Sequence, residues 1–96
     1  MDQPLQFEWD AANIGHIANH GVTTEEVEEL FARPVVESPS TAATEPRIIA
    51  YGSTKAARFL VVVYTLRAGK VRVVTAFPMK RKYRRLYEEK IKSLKG

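Results

Sequence analysis

Residues 58–76 read RFLVVVYTLRAGKVRVVTA. FLVVVY is apolar on both sides of a two-residue period and rich in β-branched and aromatic residues, which predicts a central strand covered on each face. Arg67 to Gly69 is a short connection, and KVRVVTA (70–76) resumes as a strand, so the pair forms an antiparallel hairpin. Working upstream, RIIAYG (47–52) and PVVES (34–38) are two further strands. Ser53 to Ala57 joins RIIAYG to the hairpin as another short turn. Ser38 to Pro46, made of Ser, Thr, Ala and Pro without a period, reads as a loop.

Ahead of these strands the period changes. Thr23 and Glu26 are spaced as a capping box for a helix with Val27, Leu30 and Phe31 as its buried stripe, Glu25, Glu28 and Glu29 on its wet face, and Pro34 as its stop. Asp10 caps an earlier helix, AANIGHIANH, with Ile14, Ile17 and Ala18 on one face and Gly21 after its end. LQFEW (5–9) alternates Leu5, Phe7 and Trp9 with Gln6 and Glu8, the pattern of a half-buried strand. Phe77-Pro78 turns the chain after Ala76. From Met79 a last helix carries Met79, Tyr83, Leu86, Tyr87 and Leu94 at three- and four-residue steps. The expected fold is one α+β domain over residues 1–96, ordered β-α-α-β-β-β-β-α, with a mainly antiparallel sheet and the helices against one face.

Charge separates the two halves. Residues 1–46 hold nine acidic side chains against Arg33, a balance of −8; residues 47–96 hold fourteen Lys or Arg against Glu88 and Glu89, a balance of +12. Five of those cations (Lys80, Arg81, Lys82, Arg84, Arg85) fall within six residues on the last helix, whose outer face presents Arg81, Arg84 and Arg85 together. Such asymmetry suits a polyanion, nucleic acid above all, and equally an acidic protein; the bland alternative is a solvated face. There is no Cys, hence no disulfide or thiolate metal site. No apolar run approaches the ~18 residues of a membrane span, and the N-terminus lacks a signal-peptide pattern, so no membrane partner and a cytoplasmic location are expected.

FEWD (7–10), HGV (20–22), TTEEVEELF (23–31), EPRIIAYG (45–52), RFLVVVYT (58–65), RVVTA (72–76) and RRLY (84–87) together resemble, in order and spacing, the BrnT family of bacterial toxins. The resemblance implies a RelE-like fold and a metal-independent RNA endonuclease that arrests growth. It also implies a BrnA-like antitoxin that neutralises the toxin and connects it indirectly to DNA. Asn19, Phe77 and Tyr83 stand where the family pattern has Lys, Arg and Glu. They keep a second reading in view: a catalytically degenerate module that binds antitoxin or nucleic acid without cleavage.

Cleaving RNA without a metal needs a base for the 2′-hydroxyl, a proton donor for the leaving oxygen, and cations around the phosphate. Arg47 and Arg72 match the family pattern, and their forked guanidinium groups suit phosphate. The competing role for each is an edge charge or an ion pair with Glu8, Asp10 or Glu45. His20 is the acid/base candidate, or else a structural group fixing the helix end at Gly21; with His16 it lies four apart, too few ligands for zinc. Lys80, Arg81, Arg84 and Arg85 are the candidate RNA grip. Tyr64, Tyr83 and Tyr87 could stack on bases but are spaced as core residues, as is Trp9. Neither a phosphate loop, a dinucleotide fingerprint, an HExxH nor a Ser/His/Asp set is present, so no metal or cofactor is expected.

Overall fold

A computed structural model describes residues 5–40 and 45–95, with side chains to Ser93. The side chain of Leu94 of the predicted stripe and residues 41–44 of the predicted loop lie outside what is described. The elements run α1 (Ala11–Ala18), α2 (Thr24–Phe31), β1 (Val36–Ser40), β2 (Arg47–Ser53), β3 (Phe59–Arg67), β4 (Lys70–Pro78) and α3 (Arg81–Lys95). The four strands form one antiparallel sheet in the order β1-β2-β3-β4. β3 is a central strand, as its two-sided apolar pattern demands.

The first expected strand does not form. Leu5–Trp9 lies alongside the outer edge of β4 and makes a single isolated parallel bridge, Phe7 to Val71. Two hydrogen bonds close it, Glu8 N–H to the Val71 carbonyl at 2.9 Å and Val71 N–H to the Gln6 carbonyl at 2.8 Å. Asp10 caps α1 three residues after Phe7, so the ladder cannot extend. The order among described residues is therefore α-α-β-β-β-β-α.

Both early helices begin with the reciprocal capping that frees no backbone donor. Thr23 Oγ1 accepts from Glu26 N–H while Glu26 Oε1 accepts from Thr23 N–H, each at 3.1 Å. Asp10 Oδ1 accepts from Asn13 N–H at 3.0 Å and Asn13 Oδ1 from Asp10 N–H at 2.8 Å, a second box in which Asn13 does the work usually done by Glu or Gln. Ile17, Val22, Val27 and Leu30 from this helical layer pack on Ala50, Leu60, Val62, Tyr64, Val71, Val73 and Ala76 of the sheet, the hydrophobic core. Ile14, expected inside, is exposed; Asn13 takes the buried position on α1 instead. Arg58 ties the turn between α1 and α2 to the start of β3, donating to the Gly21 carbonyl at 2.7 Å and to Glu26 at 2.9 Å.

Strand alternation sends neighbours of the core residues to the opposite face, and α3 packs there. Tyr83 meets Tyr51 with ring centroids 6.4 Å apart, and Tyr87 meets Phe59 edge-on at 5.8 Å. The helices thus lie on both faces, not on one as expected: Tyr51 and Phe59 sit beside Gly52 and Leu60 in sequence and so must point away from them. Two boundaries also move. β1 runs on to Ser40, and β4 runs through Phe77 and Pro78, where Leu60 pairs with Pro78. Pro is tolerated there because it is the last residue of an edge strand.

The hairpin from β3 to β4 turns through Ala68 (φ 53°) and Gly69 (φ 77°), two consecutive left-handed residues as a tight antiparallel turn requires. Between Val63 and Tyr64 the register slips by one: Val63 faces Thr75 and Tyr64 faces Val73, leaving Val74 bulged.

Gly52 is the closest approach between sheet and helices. A Cβ there would lie 2.7 Å from Leu30 Cγ and 3.1 Å from both Leu30 Cδ2 and Val35 Cγ1. Gly52→Ala is expected to destabilise by about 1–3 kcal/mol, lowering Tm by roughly 5–20 °C in thermal denaturation followed by circular dichroism.

Candidate functional site

Among the described residues, the sheet face turned away from α1 and α2 is covered by α3 at one end only. At the other end stand both arginines expected at the site. Thr65 pairs with Arg72, and the β2–β3 register (Ile48 to Tyr64), carried one residue further, sets Arg47 opposite Thr65. Arg47, Thr65 and Arg72 thus form a row across three strands, the arginines about 10 Å apart at their Cα atoms. The bulge makes this possible. Counting back from Ala76 by strict alternation would put Arg72 on the core face; the extra residue, Val74, turns it to the open one. Arg47 is half-buried, and its Nε is enclosed without a hydrogen-bond partner among the described residues.

Arg72 does make the ion pairs weighed against a phosphate role. Its Nη1 lies 2.9 Å from Asp10 Oδ2 and 3.2 Å from Glu8 Oε1, and Arg67 Nη1 approaches the same Glu8 oxygen at 3.5 Å. The N-terminal segment brings these carboxylates in: with Phe7 turned to the core, Glu8 turns to the open face beside Arg72. The Asn13 backbone N–H, and after it Arg72, holds the Asp10 carboxyl below its ordinary value; Asp10 in turn holds the Arg72 guanidinium above its own. Asn13 also anchors the segment. Only 4% exposed, it donates through Nδ2 to the Glu8 carbonyl at 2.9 Å and the Val73 carbonyl at 3.2 Å.

His20 is not brought to the arginines. It is exposed beyond the end of α1, edge-on to Phe77 with centroids 6.1 Å apart and 6.0 Å from His16. Phe77 is five residues along β4 from Arg72, roughly 16 Å. The tyrosines divide. Tyr64 is buried and donates to Glu37; burial first, then that carboxylate, push its phenol far above the ordinary value. Tyr87 is buried with its hydroxyl 3.5 Å from the Pro34 carbonyl, and Tyr83 is partly exposed. Trp9 is half-buried and donates to Glu28 at 2.8 Å.

Lys80, just before α3, and Arg81, Arg84 and Arg85 on it are all exposed, but not alike. Arg84 lies over the Phe59 ring, 4.1 Å from its centroid, and 3.8 Å from Glu88, so part of it is structural. Arg81, Lys82 and Arg85 surround Leu86, which is 58% exposed. Among the described residues no three His, Asp or Glu side chains converge as a metal site, and no helix is long and apolar enough to cross a membrane.

Residues 9–82 match the family model of the BrnT ribonuclease toxin of type II toxin–antitoxin systems. Covering well over half of the chain, this match shows that the protein belongs to the BrnT family. Membership implies a cognate antitoxin and an RNA substrate. No curated protein matches the chain.

The carboxylate beside Arg72 gives a pH test. Because the folded Asp10 value lies below 3.8, its contribution is present above that pH and is lost as pH falls through the folded value. Asn is an equally good cap, so Asp10→Asn removes the charge alone. The variant should melt below the wild-type chain at pH 7, and the gap should close as pH falls below about 4, measured by thermal melts across pH.

Proposed function

We propose that this BrnT-family chain is a metal-independent RNA endonuclease that arrests growth and works in the cytoplasm. Its open sheet face is where RNA is cut. The supporting observation is the row Arg47–Thr65–Arg72 on an uncovered face with a basic helix at its far end. Two guanidinium forks about 10 Å apart at the backbone, on side chains long enough to converge, bracket a phosphodiester and stabilise the charge that grows on it during in-line attack. Lys80, Arg81, Arg84 and Arg85 grip the backbone beyond the cut. His20 lies far outside the ~3 Å reach of an acid or base acting on the phosphate between the arginines, so its part is contact with the strand further along, beside Phe77.

The same surface suits the antitoxin, a BrnA-like protein that also carries the complex to DNA. An acidic segment across Arg81 and Arg85 with an apolar anchor on Leu86 excludes RNA by occupying the phosphates' place. A second reading has one observation in its favour: Arg72 is held by two carboxylates, as in a chain that kept the fold and antitoxin contact but lost cleavage.

Induced expression in a bacterium separates the two. The wild-type chain should arrest growth and fragment cellular RNA, and Arg72→Ala should cut purified RNA about 10²–10³-fold more slowly. Equal growth with intact RNA for both would leave the degenerate module, and gained toxicity in a Phe77→Arg, Tyr83→Glu variant would support it.

Arg81→Ala with Arg85→Ala should weaken RNA binding and make the dependence of log K on log salt shallower by about 1.4, at ~0.7 per phosphate contact on a single strand. Both residues are exposed, so the melting curve should not move. Arg84→Ala should also loosen α3, because it lifts the guanidinium from Phe59.

A further inference from the structure

We propose that Glu8 is the general base of this cleavage, taking the proton from the attacking 2′-hydroxyl; the assignment rests on the ribonuclease reading of the open face. Glu8 extends the row by one place. Across the sheet it runs Arg47, Thr65, Arg72, Glu8: cation, hydroxyl, cation, carboxylate, on a single face. A phosphate held by Arg72 has the Glu8 carboxylate on the far side of that guanidinium, where a neighbouring ribose would stand.

The position is rigid although the segment is not a strand. Glu8 N–H is bonded to the Val71 carbonyl, and the Glu8 carbonyl accepts from the buried Asn13 amide, which also holds β4 at Val73. A base must be fixed to within a fraction of an ångström, and these main-chain bonds fix it without using the side chain. The side chain itself is 35% exposed. Arg72 and Arg67 both approach Oε1, and Oε2 takes no bond from the described residues, which leaves it to accept a proton. Arg72 meets both carboxylates through Nη1, so Nε and Nη2 remain for phosphate.

The other acids on this face serve less well. Asp10 has one oxygen on the Asn13 N–H and the other on Arg72, and both hold its proton affinity down. Glu37, in contrast, lies on the core face and is committed to Tyr64.

The step balances without a co-reactant. Glu8 Oε2 accepts the 2′-hydroxyl proton, O2′ forms a bond to phosphorus, and the bond from phosphorus to O5′ breaks. O5′ takes a proton from water on the open face, and the resulting hydroxide is neutralised by the proton held on Glu8. The products are a 2′,3′-cyclic phosphate and a 5′-hydroxyl, with no net consumption of water. Arg67 and Arg72 offset the negative charge that builds up around the phosphate.

The test is single-turnover cleavage of an end-labelled RNA oligonucleotide against pH, with an oligonucleotide 2′-deoxy at the cut position as control. Wild type should leave a 2′,3′-cyclic end, spare the deoxy control, and show a rate that rises with unit slope through an acidic limb to a plateau. Glu8→Gln, nearly isosteric and still anchored by its main chain, should lower kcat about 10²–10⁴-fold, leave KM within about twofold, and lose the acidic limb. Arg67→Ala, which removes one cation from Glu8, should shift the limb to higher pH, a change a merely structural ion pair would not produce. Glu8→Gln cleaving at the wild-type rate, or losing only KM, would overturn the assignment while leaving the ribonuclease reading intact, as would an unmoved limb in Arg67→Ala should Glu8→Gln fail to fold. RNA left whole by wild type would overturn both.

Discussion

One extra residue in β4 governs what this sheet can present. Val74 is bulged opposite the Val63–Tyr64 step, and from there to the hairpin every β4 side chain sits on the face opposite to the one strict alternation would assign. Val73 and Val71 thereby complete the core under α1 and α2, and Arg72 comes out beside Thr65 on the uncovered side. The bulge is held by a buried amide. Asn13 bonds the carbonyl of Val73, next to the irregularity, and the same amide group bonds the carbonyl of Glu8 while its oxygen closes the cap of α1. A carbonyl buried there without a donor would cost about 1–3 kcal/mol, so this one side chain couples the first helix, the N-terminal segment and the last strand.

The consequence is an asymmetric sheet. One face is dry, with Ile17, Leu30, Leu60 and Val62 fully buried, each contributing about 1.5–3 kcal/mol by leaving water. The other is half-covered: α3 closes one end through Tyr51, Phe59, Tyr83 and Tyr87, while Arg47, Thr65 and Arg72 stay reachable at the other. An antiparallel sheet can leave one face to solvent in this way, and membership of the BrnT family implies an RNA substrate and a cognate antitoxin. The ion pairs at Arg72 work in the same direction. They hold the guanidinium in place through Nη1.

Much of this was legible in residue order. The capped starts at Asp10 and Thr23, the two-sided apolar run of β3 and the tight hairpin at Ala68-Gly69 are local: each depends on residues within four or five positions, where steric and hydrogen-bonding preferences act directly. The charge division between the halves and the ordered family motifs are also properties of the chain alone, and the motifs pointed to the toxin family that the family match bears out. The amphipathic pattern of α3 gave its exposed cations for the same reason.

What only the tertiary structure decided depends on register and on contacts distant in sequence. LQFEW has a strand's alternation, yet it makes one bridge, because pairing needs a free partner edge of matching length and Asp10 ends the segment early. Alternation cannot reveal a bulge, so the face taken by Arg72, and with it the row to Arg47, was undetermined until β3 and β4 were paired. Residue order also leaves open how far His20 lies from Arg72: it packs on Phe77, five residues further along β4. Glu8 appeared in the sequence only as a possible partner for an arginine. Its place at the end of the row comes from a hydrogen bond to Val71, sixty-three residues away, and distances of that kind are set by the packed core.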